Sequence, residues 1–205
     1  MSFLKYYLKE SDEKFNLDSL NSLVSYSKKI KYAKEHLTKL GEGSSRIVFD
    51  LNDGYVLKLA KNEKGLEQNL TDGDWGLQKM YPDLIPELKD KDESDDCYWI
   101  ISKKCSKITP NRFKDLTKIS FKDFSKAITE ASLRHHGRLK TVSEDTKKYL
   151  EDRDSIVSKV FDMMENYDMP PGDITRISSW GECDGKAKLI DAGLTNTTFN
   201  TFYKR

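Results

Sequence analysis

The feature that most constrains the fold of this 205-residue chain is a pair of β-rich runs around an Asn-Asp-Gly turn. The runs cover residues 46–51 and 55–60, with Asp53-Gly54 between them. Asp and Gly both tolerate positive φ, so this dipeptide between two apolar runs predicts a tight antiparallel hairpin. Further strands are predicted near residues 84–88 and over "CYWIISKKC", residues 97–105.

Helical patterns lie on both sides of these strands. A first helix is predicted over residues 18–38, with Asp18 or Ser19 as its N-cap. Its apolar face would consist of Leu20, Leu23, Val24, Ile30, Ala33 and Leu37. A weaker helix is predicted over residues 65–81 and ends before Pro82.

The second half of the chain is mainly helical. Apolar residues at three- and four-residue spacing predict helices over residues 120–134 and 143–167, and Ser143 is a plausible start for the second. A last short hairpin is predicted around Asp184-Gly185, and its second strand, residues 187–190, leads to Asp191. A strand-rich half therefore precedes a helix-rich half, which predicts an α+β fold.

Composition excludes several classes of partner. Lys and Arg total 35 and Asp and Glu total 34, so the net charge of +1 gives no reason to expect nucleic acid or a membrane surface. No apolar stretch is long enough to span a bilayer, and the N-terminus lacks the cleavage site of a secretory signal. Cys97, Cys105 and Cys183 show no CxxC spacing, so we expect reduced thiols in a cytoplasmic protein.

Two features of the strand-rich half suit phosphate binding. In "GEGSSRIV", Gly41 and Gly43 precede Ser44 in a turn whose backbone N–H groups can approach phosphate oxygens. Lys58 lies in the strand paired with this turn, where its ammonium can reach phosphates if a helix carboxylate holds it.

Acidic residues complete the set. Asp72 is the candidate partner of Lys58, and Glu67 and Asp74 are the alternatives. Asp173 and Asp191, eighteen residues apart, each stand at a boundary between regular structure and a loop. Two carboxylates near one cleft suit phosphoryl transfer, in which one accepts a proton and the other holds Mg²⁺.

The order of glycine-rich loop, strand lysine, helix acid, strand, helices, loop acid and strand–Asp–x–Gly resembles the protein-kinase-like superfamily. The likeness is greatest to compact kinase-like proteins of bacteria and their phages, and it covers roughly residues 39–200. It implies a two-lobed fold: an N-terminal helical extension (1–38), a small antiparallel β N-lobe (39–105) and a reduced helical C-lobe (106–205).

The resemblance also implies roles and cofactors, namely ATP and Mg²⁺. Gly41, Gly43 and Ser44 would cover the phosphates, and Lys58 with Asp72 would position them. In the C-lobe, Asp173 would act as the catalytic base or would orient the attacking hydroxyl group. Asp191 and Ser178 would hold the metal.

Several positions depart from the family pattern. Arg46 replaces the third glycine of the loop, and Ser178 replaces a metal-binding Asn. Asp72 stands where the family has Glu, one methylene longer, so the helix would have to lie closer to the strand. Twelve residues follow Gly193, so we do not expect the helical platform on which protein kinases bind peptides.

Two functions fit these features. One is a minimal ATP- and Mg²⁺-dependent phosphotransferase of unknown substrate; nucleotidyl transfer would use the same residues. The other is a weakly active or inactive kinase-like module, a pseudokinase, that engages a protein such as a host regulator. Residues 18–38 and the aromatic segment "FLKYYL" would then form the partner surface.

Overall fold

The computed structural model describes residues 14–203, so the segment "FLKYYL" lies outside the described residues. The predicted α+β class is confirmed: a five-stranded antiparallel sheet is followed by several helices and a smaller three-stranded sheet. Within the described range, no helix is long and apolar enough to cross a lipid bilayer.

The N-terminal extension forms two helices, α1 (Leu17–Asn21) and α2 (Tyr26–His36), so the prediction of one helix over 18–38 is wrong. The helix is interrupted because each segment has its own N-cap. The Asn16 side chain caps α1, and the Ser25 side chain caps α2. Val24 lies in the connection and is 82% exposed, so it does not belong to the apolar face.

The larger sheet has the strand order β1-β2-β3-β5-β4. The strands are β1 (Thr38–Glu42), β2 (Arg46–Asp50), β3 (Tyr55–Ala60), β4 (Leu88–Lys91) and β5 (Trp99–Lys103). The predicted hairpin joins β2 to β3, with positive φ at Asn52 and Gly54. The strand predicted at 84–88 is displaced, because Leu84 and Ile85 pack into the helical core before β4 begins.

Strand β3 is covered on both faces. Leu57 and Leu59 pack in one apolar cluster with Leu20 and Ala33 of the N-terminal helices. Lys58 alternates to the other face, as the two-residue period of a strand requires, and it is only 5% exposed there. The N-terminal helices therefore complete the core of the sheet.

The region predicted as one helix over 65–81 also divides in two, α3 (Glu63–Asp72) and α4 (Trp75–Met80). Gly73 is the C-cap of α3, and a Cβ atom there would lie 2.7 Å from both the Asn69 carbonyl oxygen and Ile100. The glycine thus ends α3 and allows it to lie close to β5.

The helical half contains α5 (Pro110–Thr117), α6 (Phe121–His135), α7 (Glu144–Glu151) and α8 (Ile156–Asn166). The prediction of one helix over 143–167 is wrong because Ser155 caps a new helix, although Ser143 does cap α7. Edge-to-face contacts of Trp180 with Phe113 and Phe124 organise the core of this half.

The remaining elements surround this core. They are β6 (Ser106–Lys107), α9 (Pro171–Ile174), a 3₁₀ turn (Ile177–Ser179), β7 (Trp180–Cys183), β8 (Lys186–Leu189) and α10 (Asn196–Phe202). The hairpin predicted at Asp184-Gly185 joins β7 to β8, and both turn residues have positive φ. Ala187 and Leu189 are buried in the helical core and hold β8 in place.

Two of the three cysteines form a disulfide, Cys105–Cys183, so the expectation of three reduced thiols is wrong. The two residues are 78 positions apart, and they meet because β6 pairs with β7. Sequence spacing carries no signal of such a pairing. Cys97 is buried and unbridged, and its burial raises the pKa of the thiol to about 11.

Candidate functional site

Two buried cations share one buried carboxylate at the centre of the molecule. Lys58 Nζ donates to Asp72 Oδ2 at 2.7 Å, and Arg46 Nη1 donates to the same oxygen at 2.8 Å. All three side chains are at most 8% exposed. Of the three acids offered by the sequence, Asp72 is the one that contacts Lys58; Asp74 instead caps α4, and Glu67 is exposed.

Close packing of α3 brings the short Asp72 side chain within reach of Lys58. The helix begins after its N-cap Asn62, whose Nδ2 also donates to the Ser44 carbonyl oxygen. Gly65 lies against the glycine-rich loop, and a Cβ atom there would be 2.3 Å from the Ser45 carbonyl oxygen. A residue with a side chain at position 65 would therefore push α3 away from the sheet.

Asp72 is held in its ionised form. Its burial alone would raise the pKa of the carboxyl group, but Lys58 and Arg46 outweigh this effect and lower the pKa below its usual range. The carboxylate is therefore a buried negative charge that accepts hydrogen bonds from both Lys58 and Arg46.

The chain after β8 delivers Asp191 to this cluster. Arg46 Nη2 donates to Asp191 Oδ1, and Lys58 Nζ donates to the Ile190 carbonyl oxygen at 2.9 Å. Gly193 packs on α3, where a Cβ atom would lie 2.5 Å from the Gln68 carbonyl oxygen. The glycine after Asp191 thus permits close approach to α3.

A cavity of about 460 Å³ lies between the glycine-rich loop and the acids of the helical half. Gly43 and Ser44 line one side, and Asp173, Arg176 and Asp191 line another. Lys58 and Arg46 do not line this cavity. Arg46 donates to Asp191, which does line it, and Lys58 donates to the carbonyl oxygen of the preceding residue, Ile190.

Asp173 lies in the first turn of α9 and differs from Asp72 in its titration. Partial burial raises the pKa of its carboxyl group, and the nearby charge of Asp191 raises it further. Arg176 Nη1 donates to Asp173 Oδ1 at 3.1 Å and opposes the shift only in part. Asp173 therefore takes up a proton more readily than an ordinary aspartate.

Two of the candidate residues belong neither to the buried cluster nor to the cavity lining. Gly41 is part of β1, at an irregularity in its pairing with β2. Ser178 is exposed in the 3₁₀ turn and does not line the cavity that holds Asp173 and Asp191. Sequence reasoning treated Arg46 only as a departure from the family pattern and did not assign it to the site.

Of the two residues that the resemblance assigns to Mg²⁺, Asp191 lines the cavity and Ser178 does not. Within residues 14–203, no three His, Cys, Asp or Glu side chains are grouped as a metal site. Asp191 is already paired with the Arg46 guanidinium, and Ser178 lies elsewhere.

Comparison with known proteins adds no identification. The chain matches no protein-family model, and it matches no curated protein sequence.

Proposed function

We propose that the chain is a kinase-like, nucleotide-binding protein that transfers the γ-phosphoryl group of ATP to a hydroxyl group. The supporting observation is that the loop residues Gly43 and Ser44 and the acids Asp173 and Asp191 line one cavity. The Lys58–Asp72 pair lies in the buried cluster beside it, linked through the carbonyl oxygen of Ile190. These groups come from distant parts of the chain; Arg46 and Asp191, for example, are 145 positions apart.

The cavity suits a small phosphorylated ligand. Its volume of about 460 Å³ is within the range of small-molecule sites. Gly43 is exposed and a Cβ atom there would have open space, so a phosphate group can approach the loop. The Gly43 N–H itself donates to the Arg46 carbonyl oxygen at 2.9 Å, so phosphate would be bound by other groups of the loop. Ser44 is held beside Gly43 by the hydrogen bond from Asn62.

Asp173 supplies the proton acceptor for transfer. The acceptor oxygen attacks the γ-phosphorus while the bond to the β–γ bridging oxygen breaks, and ADP leaves with that electron pair. The hydroxyl proton passes to the Asp173 carboxylate. A raised pKa suits this role, since a base works best when its pKa approaches the working pH.

Two glycine variants test nucleotide binding. Gly43→Asp adds a negative charge to the cavity wall, whereas Gly41→Asp adds the same charge on β1 outside the cavity. The space around both glycines accommodates a Cβ atom. We expect Gly43→Asp to weaken the ATP Kd by at least about 10-fold, or 1.4 kcal/mol, because of charge repulsion, and Gly41→Asp to leave it near the wild-type value.

Isothermal calorimetry with ATP measures both Kd values. Equal losses in the two variants, or no ATP binding by the wild type, would contradict the proposal. Mass spectrometry of the products then separates phosphoryl transfer from nucleotidyl transfer, since the added groups differ in mass.

A second candidate function is a kinase-like binding module without turnover. The contact between Arg46 and Asp191 favours it, because this contact occupies the acid that the resemblance assigns to the metal. The partner surface would include α1 and α2, which are fixed to the sheet by the hydrogen bond from Trp99 Nε1 to Asn21 Oδ1. Absence of a thermal shift with any nucleotide would favour this function.

A further inference from the structure

Arg46 connects the buried cluster with the acid after β8. Its Nη1 donates to Asp72 and, at 3.3 Å, to Asn69 Oδ1, while its Nη2 donates to Asp191. Arg46 is the first residue of β2 and is 7% exposed. The guanidinium therefore joins the strand-rich half to the helical half at the cavity.

The positive charge of Arg46 is permanent. An arginine guanidinium stays protonated in proteins, and both Asp72 and Asp191 contact this one. Asp191 thus receives its positive partner from the chain itself. A divalent cation bound to Asp191 would lie beside this guanidinium. Two neighbouring positive charges repel each other strongly in a partly buried site.

We propose that Arg46 takes the place of a divalent cation beside Asp191, so that the cavity binds nucleotide phosphates without a bound metal ion. The statement about phosphates rests on the proposed function, whereas the statement about the metal position does not. The Arg46 side chain is 8% exposed and does not line the cavity, so its role is to pair with Asp191. Phosphate oxygens would be bound by groups that do line the cavity, Ser44 of the loop and the Arg176 guanidinium.

Mn²⁺ titration without nucleotide tests the metal position, with bound Mn²⁺ measured by electron paramagnetic resonance. Arg46→Gln removes the guanidinium and frees the Asp191 carboxylate, and we expect it to bind Mn²⁺ at least about 10-fold more tightly than the wild type. Arg112→Gln, which removes an exposed arginine paired with Glu182, is the matched control and should bind Mn²⁺ as the wild type does. Equal Mn²⁺ affinity in the Arg46→Gln variant and the wild type overturns the proposal.

Arg46→Lys keeps the positive charge and guards against misfolding of the glutamine variant. It should remain as weak a Mn²⁺ binder as the wild type, and circular dichroism verifies the fold of each variant. Tight Mn²⁺ binding by a folded Arg46→Lys protein would contradict the role of the charge.

Calorimetry of the wild type with ATP, in EDTA and in excess Mg²⁺, tests phosphate binding. We expect the two Kd values to agree within about 3-fold. Binding that is at least about 10-fold tighter with Mg²⁺ overturns this inference and leaves the proposed function standing. Absence of binding in both conditions overturns the proposed function and the statement about phosphates, and the Mn²⁺ result then decides the metal position alone.

Discussion

The buried cluster and the cavity wall each contain an aspartate, and the two environments shift its pKa in opposite directions. In the cluster, Asp72 is held between Lys58 and Arg46, which lower the pKa of its carboxyl group. On the cavity wall, burial and the neighbouring Asp191 raise the pKa of Asp173, and the pairing with Arg176 is largely exposed on the arginine side. The cluster is therefore arranged for a fixed charge and the wall for a change of protonation.

This difference in pKa suggests two roles: the paired acid of the cluster stabilises the fold, and the acid of the cavity wall is suited to proton transfer. A fully paired acid contributes to stability, because removal of any partner leaves a buried charge unpaired. An acid whose ionised form is disfavoured lowers stability at neutral pH, and such residues are found at functional sites more often than elsewhere. Variants in each region should consequently affect stability in opposite directions.

The largest expected effect comes from a constraint outside both regions. Reduction of the Cys105–Cys183 disulfide opens a link between residues 78 positions apart, and the chain-entropy relation gives a loss of about 4.5 kcal/mol in the free energy of unfolding. Urea unfolding with and without dithiothreitol measures it. The double variant Cys105→Ser, Cys183→Ser should show no response to the reductant, and a wild type equally insensitive to it would contradict the disulfide.

Removal of the shared carboxylate should have the next largest effect. Asp72→Asn leaves two buried cations without their common partner, so we expect a loss of about 3 kcal/mol, the lower end of the range for broken buried pairs, since Arg46 keeps Asp191. Glu67→Gln on the same helix removes an exposed acid and should change the stability by about 0.5 kcal/mol or less. Urea unfolding of both variants makes the comparison, and similar values for the two would show that the cluster is not a structural centre.

The smallest effect is expected at Asp173, and its sign is the opposite. The pKa of Asp173 is higher in the folded protein than in the unfolded chain, where it is about 3.9. Between these two pKa values the folded protein therefore holds more protons than the unfolded chain does. Stability therefore falls with rising pH through this range. Asp173→Asn removes the titration and should be more stable than the wild type at pH 7 but not at pH 3.

Thermal midpoints of both proteins measured from pH 3 to pH 7 test this prediction. Asp154→Asn, which changes a fully exposed acid, is the control. A difference between Asp173→Asn and the wild type that does not vary with pH would show that the environment of Asp173 does not disfavour its charge.

Local sequence signals predicted the hairpins and several helix starts correctly. The turn residues near Gly54 and Gly185 adopt positive φ, and Ser143 caps α7, because such preferences act within a few residues. The same local view missed the helix breaks at Ser25 and Ser155. In both cases the apolar period continues across a serine that caps a new helix, and periodicity alone does not show the break.

The sequence by itself determined the α+β class and the residue types of the site: a small-residue loop and acids before and after the final hairpin at the cavity, and a strand lysine in the buried cluster beside it. Only the tertiary structure decided which of these groups touch. It selected Asp72 over its rivals, left Ser178 exposed, and paired Arg46 with Asp191. The reason is physical: a helix or turn is stabilised by neighbours in the chain, whereas a contact across 145 positions exists only because close packing at glycines 65 and 193 brings distant segments together.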